Sequence, residues 1–301
     1  MKTAFLFAGQ GSQAVGMGKD FYDALPEVKA IYDRYPEIRD LCFKDEGGHI
    51  NETAYAQKAM LLTGYAIASA LKAKGIEPEY ACGLSLGEYT ALAFSQVWNL
   101  DAAIDIVTHR GDIMQHALPL GTTKMAAVIG ADRDVILETL KEVNSGVVEI
   151  ANYNCPGQIV ITGENQAVDD ACALLKPKCR RCLPLQVSGA FHSSLLKEAS
   201  VELRKVLDKY QPQAPVYHIV YNVSGKEETR PINDILQDQI CHSVYFEDTL
   251  KLLIAEGVDT FIEIGPGKTL TGFLGRTDRT KTCYNVSDLA GYQALLTALG
   301  K

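Results

Sequence analysis

Positive charge is what this chain has little of. Lysine and arginine number 29 against 37 aspartates and glutamates, a formal net charge of −8 over 301 residues. A nucleic-acid binder needs a basic footprint, so bulk electrostatics exclude that class of partner. An acidic partner would have to meet a local basic patch. Also missing is any apolar run of about 18 residues, the length a membrane span requires. The amino-terminal MKTAFLFAGQG has a short apolar run and then glycines. It lacks the h-region and cleavage site of a secretory signal. No membrane association is expected, and the cytoplasm is the expected compartment.

The eight cysteines are too sparse for the framework of a small secreted domain. Cys179 and Cys182 form a C-R-R-C, but no second pair at zinc spacing accompanies them. The segment CRRCLPLQV reads as a strand, not as the helix start that follows a redox loop. Reduced thiols and no metal site are therefore expected. Internal repeats, low-complexity tracts and long linkers are absent as well. Two glycine-rich stretches lack the rest of their motifs. FAGQGSQA (7–14) fits a loose G-x-G-x-x-A, yet helical sequence follows where a dinucleotide fold needs a second strand ending in an acidic residue. GPGKT (265–269) has no glycine five residues before Gly267, so it is not a phosphate-binding P-loop. No bound cofactor is expected.

Hydrophobic residues make up 47% of the chain and charged residues 22%, enough for one large domain or a large domain with an insert. A buried strand is predicted over 3–8, followed by helices up to about residue 74. The last of these, AQKAMLLTGYAIASALKAKG (56–75), is apolar nearly all round. A strand over 78–82 precedes a helix over 86–97. Asn99 is the expected N-cap of a helix reaching about residue 117. The middle then reads β-α-β-β-α-β: strands over 124–130, 147–154, 158–163 and 179–187, helices over 132–143 and 165–176. That order is the ferredoxin-like pattern. A helix over 195–210, a strand over 216–223, a helix over 246–256 and a strand over 259–265 complete the reading. The expected architecture is α/β: a parallel-sheet domain over 1–122 and 190–301, with a small βαββαβ subdomain over 123–189 inserted in it.

Gly83-Leu84-Ser85-Leu86-Gly87 matches G-x-S-x-G between a predicted strand and a predicted helix, the context that motif needs. A sharp turn there lifts the Ser85 hydroxyl off the sheet edge, and flanking glycines avoid a clash. The helix N-terminus offers free N–H groups for developing negative charge. The N–H of Leu86 is the natural oxyanion donor. Gly9 and Gly11 would let the backbone approach a reacting group, with the Gln10 N–H as second donor. A serine needs a base. Six histidines are available, and His192 stands out by its small-residue loop SGAFHSS (188–194) just after the insert. Arg110 has Ile106, Val107, Ile113 and Met114 as its helix neighbours, all apolar. Such a charge needs an anion, either an internal carboxylate or a substrate carboxylate gripped by the guanidinium fork.

Six blocks together resemble the malonyl-CoA:acyl carrier protein transacylase family, the acyltransferases of fatty-acid and polyketide synthesis. They are FAGQGSQ (7–13), GLSLGEY (83–89), HRGDIMQ (109–115), ANYNCPGQIVITG (151–163), SGAFHSSL (188–195) and IEIGPGKTLTG (262–272). The resemblance covers the whole chain and implies an α/β-hydrolase-like domain with a ferredoxin-like insert. It implies Ser85 as nucleophile, His192 as general base and then acid, and Gln10 and Leu86 as oxyanion donors. Arg110 would bind the malonyl carboxylate. Gln57, Met114, Phe191 and Asn154 would line the substrate, with Phe191 narrowing the pocket against branched acyl groups. A backbone carbonyl near Tyr245, in QICHSVYF (239–246), would orient the histidine. The implied substrates are malonyl-CoA and the phosphopantetheinylated acyl carrier protein, and a monomer is expected. Lys178, Arg180, Arg181, Lys197 and Arg204 are either a docking patch for the acidic carrier or solvated surface. The chain departs from the family at Leu84, where histidine is usual, at Lys58, where proline is common, and at Ser243 and Tyr245, where proline and a polar residue are usual. Two other readings share the serine elbow or the partner: an esterase, and a non-catalytic carrier-binding module.

Overall fold

The computed structural model describes residues 2–301 apart from 186 and 188. Gln186, in the strand expected over 179–187, and Ser188, at the head of the small-residue loop, lie outside the described residues. Strand β1 (Thr3–Phe7) is followed by helices α1 (Lys19–Ala24), α2 (Pro26–Asp33), α3 (Pro36–Phe43) and α4 (Thr53–Ala73). Proline opens α2 and α3, where no N–H is required. Strand β2 (Tyr80–Gly83) leads directly into α5 (Leu86–Phe94), and α6 (Leu100–His116) comes next. Asn99 caps α6 as expected, its Oδ1 accepting the Ala102 N–H at 2.9 Å.

The central segment forms β3 (Thr123–Ile129), α7 (Arg133–Lys141), β4 (Val148–Cys155), β5 (Gln158–Glu164), α8 (Asn165–Leu175) and β6 (Arg181–Pro184). The chain then runs through a 3-10 turn (Ser194–Leu196), α9 (Lys197–Leu207), β7 (His218–Ile219), α10 (Ile232–Gln239), β8 (Val244–Tyr245), α11 (Phe246–Ala255), β9 (Thr260–Ile264), α12 (Thr269–Thr277), β10 (Thr282–Val286) and α13 (Leu289–Leu299).

Two sheets result. The first has the order β10-β9-β1-β2-β7 and is parallel throughout. Its central strand TAFLF is buried on both faces, as a parallel sheet covered by helices demands. Phe5 and Phe7 point into one core with Leu61 and Phe94, while Ala4 and Leu6 point into another with Leu250 and Phe261. The second sheet has the order β6-β3-β5-β4-β8. Its first four strands are antiparallel neighbours, the ferredoxin-like arrangement. Strand β8, from much later in the chain, adds itself parallel to β4.

Register positions the site. Phe7 lies opposite Gly83 at the carboxyl ends of β1 and β2, so the loops after these two strands emerge side by side.

Four expectations change. The strand expected over 216–223 is only His218–Ile219, because the chain turns at Tyr221, whose N–H bonds the Lys226 carbonyl. The segment 239–246, from which a carbonyl near Tyr245 was expected to face the histidine, is the end of α10 followed by a two-residue strand. Elements α10, α12, β10 and α13 are not among the expected ones. Finally, Cys172 of α8 and Cys182 of β6 form a disulfide, so reduced thiols do not describe that pair. Both elements pack on β3, which brings their Cα atoms to 5.8 Å, within disulfide reach. Cys179 of the C-R-R-C is free.

Candidate active site

Ser85 sits between β2 and α5 with φ 52°, a left-handed backbone that a serine adopts only under constraint. The turn is tight because Gly87 lies against β1: a Cβ there would stand 2.1 Å from the Phe7 carbonyl oxygen. Gly9 has a related reason. A Cβ on it would stand 2.5 Å from the Leu84 carbonyl oxygen. The close approach expected of Gly9 is therefore made to the elbow itself. It brings the Gln10 loop onto the serine. The main-chain N–H groups of Gln10 and Leu86 have no hydrogen-bond partner among the described residues. The Gln10 side chain is tethered elsewhere, on Thr53 Oγ1 at 3.0 Å.

His192 reaches Ser85 from the other side. Its Nε2 is 2.7 Å from Ser85 Oγ, and its Nδ1 is 2.8 Å from the main-chain oxygen of Gln239. That carbonyl fixes the tautomer with the proton on Nδ1 and leaves Nε2 as acceptor. The orienting group is thus Gln239, not a residue near Tyr245. Tyr245 instead stacks on Tyr153 at 4.9 Å, and Ser243 Oγ donates to the Ile150 carbonyl, so both departures from the family pattern hold β8 against β4. His192 is 3% exposed. Burial, and then the charge of Arg110, push its pKa down to about 4. The imidazole is neutral at neutral pH and ready to take a proton.

Arg110 lies on the buried stripe of α6, 1% exposed. Its Nη1 donates to Gln57 Oε1 at 2.8 Å, and its Nη2 donates to Gln239 Oε1 at 2.9 Å and to Ser85 Oγ at 3.2 Å. Nε has no partner among the described residues, and the Tyr89 ring lies 4.8 Å from the guanidinium carbon. Among the described residues no carboxylate contacts the guanidinium. Two neutral amides hold it, and burial lowers its pKa. A desolvated cation with only neutral partners is an anion receptor. The guanidinium touches the serine directly, closer than the length of an acyl chain.

The remaining expected residues divide. Gln57 is buried against Arg110 and donates to Met114 Sδ at 3.5 Å, so both belong to this cluster. Phe191 is buried in the main core next to His192. Asn154 is buried on β4, its Oδ1 unpartnered, and no hydrogen bond joins it to the Ser85 cluster among the described residues. Leu84 packs on the second core, and Lys58 lies over the Tyr55 ring at 4.7 Å. Of the basic residues, Lys178 pairs with Glu142, and Arg204 pairs with Asp208 and Asp234. Arg180, Arg181 and Lys197 are exposed and make no ion pair among the described residues.

Two further residues close the site: Gln239 and Asn222. Gln239 Nε2 donates to the Ser85 carbonyl at 2.8 Å, and Asn222 Oδ1 accepts the Ser85 N–H at 2.7 Å. A cleft of about 740 Å³ opens beside His192. Leu140, Ile150 and Tyr153 of the second sheet unit line one wall, Lys197 and Cys241 the other.

A parallel α/β sheet with a strained serine at a strand-to-helix turn, and an imidazole on its hydroxyl, defines the class as serine-elbow enzymes. Residues 4–294 match the family described as acyl transferase domain. The chain is 39% identical over 297 residues to the malonyl CoA-acyl carrier protein transacylase of Bacillus subtilis, covering 95% of this chain and 94% of that one. The crystal structure of the transacylase of that name from Clostridium perfringens superposes with a TM-score of 0.97 at 38% identity, over 100% of this chain and 98% of the other. A malonyl-transacylase solved in complex with a type II PKS acyl-carrier protein gives a TM-score of 0.95 at 34% identity, over 99% and 100%. The chain belongs to the malonyl CoA-acyl carrier protein transacylase family of acyl transferases.

Proposed function

We propose that this enzyme moves malonyl from coenzyme A to the phosphopantetheine thiol of an acyl carrier protein, supplying malonyl carrier for fatty-acid synthesis. Ser85 Oγ attacks the thioester carbonyl while His192 Nε2 takes its proton. The N–H groups of Gln10 and Leu86 hold the tetrahedral oxyanion. Collapse breaks the carbon–sulfur bond, and the coenzyme A thiolate leaves with the proton from His192. In the second half the carrier's thiol gives its proton to His192 and attacks the malonyl-Ser85 ester. Its collapse returns the proton to Ser85 and releases malonyl carrier.

The observation that carries this reading is the surroundings of one atom: Ser85 Oγ touches both His192 Nε2 and Arg110 Nη2. An esterase has no use for a buried guanidinium at its nucleophile, and a carrier-binding module has no use for either contact. Malonyl's carboxylate would take Arg110 from its neutral amides, because it meets the desolvated guanidinium with an opposite charge and two parallel acceptors that a single amide oxygen lacks. Phe191 and Met114 bound the acyl group, and Asn154 completes the substrate side from β4. The apolar cleft takes the pantetheine arm of either thiol, and Lys197 at its wall meets the acidic carrier. The cytoplasm, where coenzyme A thioesters are made and used, is the compartment this chemistry implies.

Intact-mass measurement tests it. Malonyl-CoA alone should leave a malonyl adduct on Ser85 that persists in buffer and transfers when phosphopantetheinylated carrier is added. The reading fails if no adduct forms, or if water removes it as fast as the carrier does.

A further inference from the structure

Glu88 is a buried carboxyl that the reaction above does not use. It lies in α5, one turn after the nucleophile, with no solvent exposure, in the otherwise uncharged segment LGEYTALAF. Only one of its oxygens has a hydrogen-bond partner. Oε2 accepts the main-chain N–H of Asn222 at 2.6 Å, while Oε1 has no partner among the described residues. A half-satisfied buried carboxyl is costly and calls for a compensating role.

Asn222 supplies that role. Its side chain bridges the elbow: Oδ1 accepts the N–H of Ser85 at 2.7 Å and Nδ2 donates to the carbonyl of Gly83 at 2.8 Å. Its own carbonyl accepts the N–H of Tyr245 at 2.8 Å. The clamp therefore spans the residue whose φ of 52° must be held against its own preference. Asn222 lies beyond the end of β7, in a stretch with no ladder to hold it. Glu88 takes the main-chain donor that the ladder would otherwise have used.

We infer that Glu88 is a positioning residue for the nucleophile, acting through Asn222, which locks the Ser85 elbow in its strained conformation. Glu88 touches neither Ser85 Oγ nor His192, so its effect is on geometry and not on proton transfer. What Asn222 requires is an acceptor, not a charge. Burial pushes the Glu88 carboxyl up to about 8, so the site disfavours its charge. This rests on Ser85 being the nucleophile.

The test is the single-turnover rate of Ser85 malonylation, with KM for malonyl-CoA measured alongside. Misplacing a reacting group by a fraction of an ångström to an ångström costs up to about 100-fold in rate. Glu88→Ala should slow acylation by about 10- to 100-fold with KM changed by less than about twofold. Glu88→Gln, which keeps an acceptor for the Asn222 N–H, should restore the rate to within about threefold of wild type. Asn222→Ala should cost as much as Glu88→Ala, and the double variant little more than either, because both act along one route. Acylation at the wild-type rate in Glu88→Ala overturns the inference, and so does a Glu88→Gln variant as slow as Glu88→Ala. Should Glu88→Ala not fold, Asn222→Ala decides in its place, and a wild-type rate there overturns the inference. A wild-type enzyme that forms no Ser85 adduct removes the underlying nucleophile as well, so the two failures are separable.

Discussion

Gln239 joins His192 to Arg110. Its main-chain oxygen accepts Nδ1 of His192 at 2.8 Å, and its side-chain oxygen accepts Nη2 of Arg110 at 2.9 Å. Its side-chain nitrogen donates to the Ser85 carbonyl. One residue at the end of α10 therefore sets the imidazole, the guanidinium and the elbow in a common frame. Gln239→Ala keeps the carbonyl on His192 but frees Arg110 and the elbow. We expect kcat/KM for malonyl-CoA to fall by about 10- to 100-fold, as loss of one buried charge-assisted contact costs roughly 1.5–3 kcal/mol. Steady-state kinetics check this, and an unchanged kcat/KM would remove Gln239's side chain from the site.

Arg110→Ala separates acyl selection from acyl transfer. Loss of a desolvated charge pair should lower kcat/KM for malonyl-CoA by about 1,000-fold, near 4 kcal/mol, while acetyl-CoA is used no less well than by wild type. A competition assay between the two thioesters reads the ratio. If the malonyl preference survives, the guanidinium is not the carboxylate receptor.

The buried imidazole fixes the acid side of the pH profile. His192 is pushed down to about 4, against about 6.5 for a free histidine. The acid limb of kcat/KM should therefore fall near pH 4, because only below that value does the base carry a proton in the free enzyme. Stability follows the same sign. Between pH 6.5 and 4 the unfolded chain binds a proton at this position that the folded chain does not, so acidification through that window destabilises the fold. His192→Gln should flatten that part of the curve in urea titrations from pH 7 to 4. An acid limb near 6.5 would contradict the burial of the ring.

Gly87→Ala tests the packing under the elbow. In an unconstrained helix the change would stabilise by about 0.5–1 kcal/mol. Here the added methyl meets the Phe7 carbonyl oxygen at 2.1 Å, so main chain must move. Destabilisation of about 3 kcal/mol is expected from overpacking against backbone, with slower acylation. Urea unfolding gives the sign, and a stabilised variant would show that the strand and helix are not in close contact.

Much of this site was legible because its signals are local. The serine elbow needs only five consecutive residues and a strand and helix on either side. The small sheet declared itself through alternating strands and helices of ordinary length, and Arg110 through its apolar helix neighbours. Glu88 carried a similar signal, a lone carboxylate in an apolar helix, and could have been singled out on that ground. The strand expected over 216–223 failed for the opposite reason. Its residues suit a strand, but Asn222 is drawn out of the ladder by partners elsewhere in the chain.

Composition, periodicity and motif spacing were enough to establish an α/β enzyme with a serine elbow and an inserted βαββαβ unit, because each depends on residues near one another along the chain. Tertiary packing alone chose Gln239 over a residue near Tyr245 to orient the histidine, left Arg110 with neutral partners, and put Asn222 on the elbow. Those bonds join residues 47, 129 and 137 positions apart. Nothing in a neutral amide's neighbours along the chain says which distant donor or acceptor it will meet.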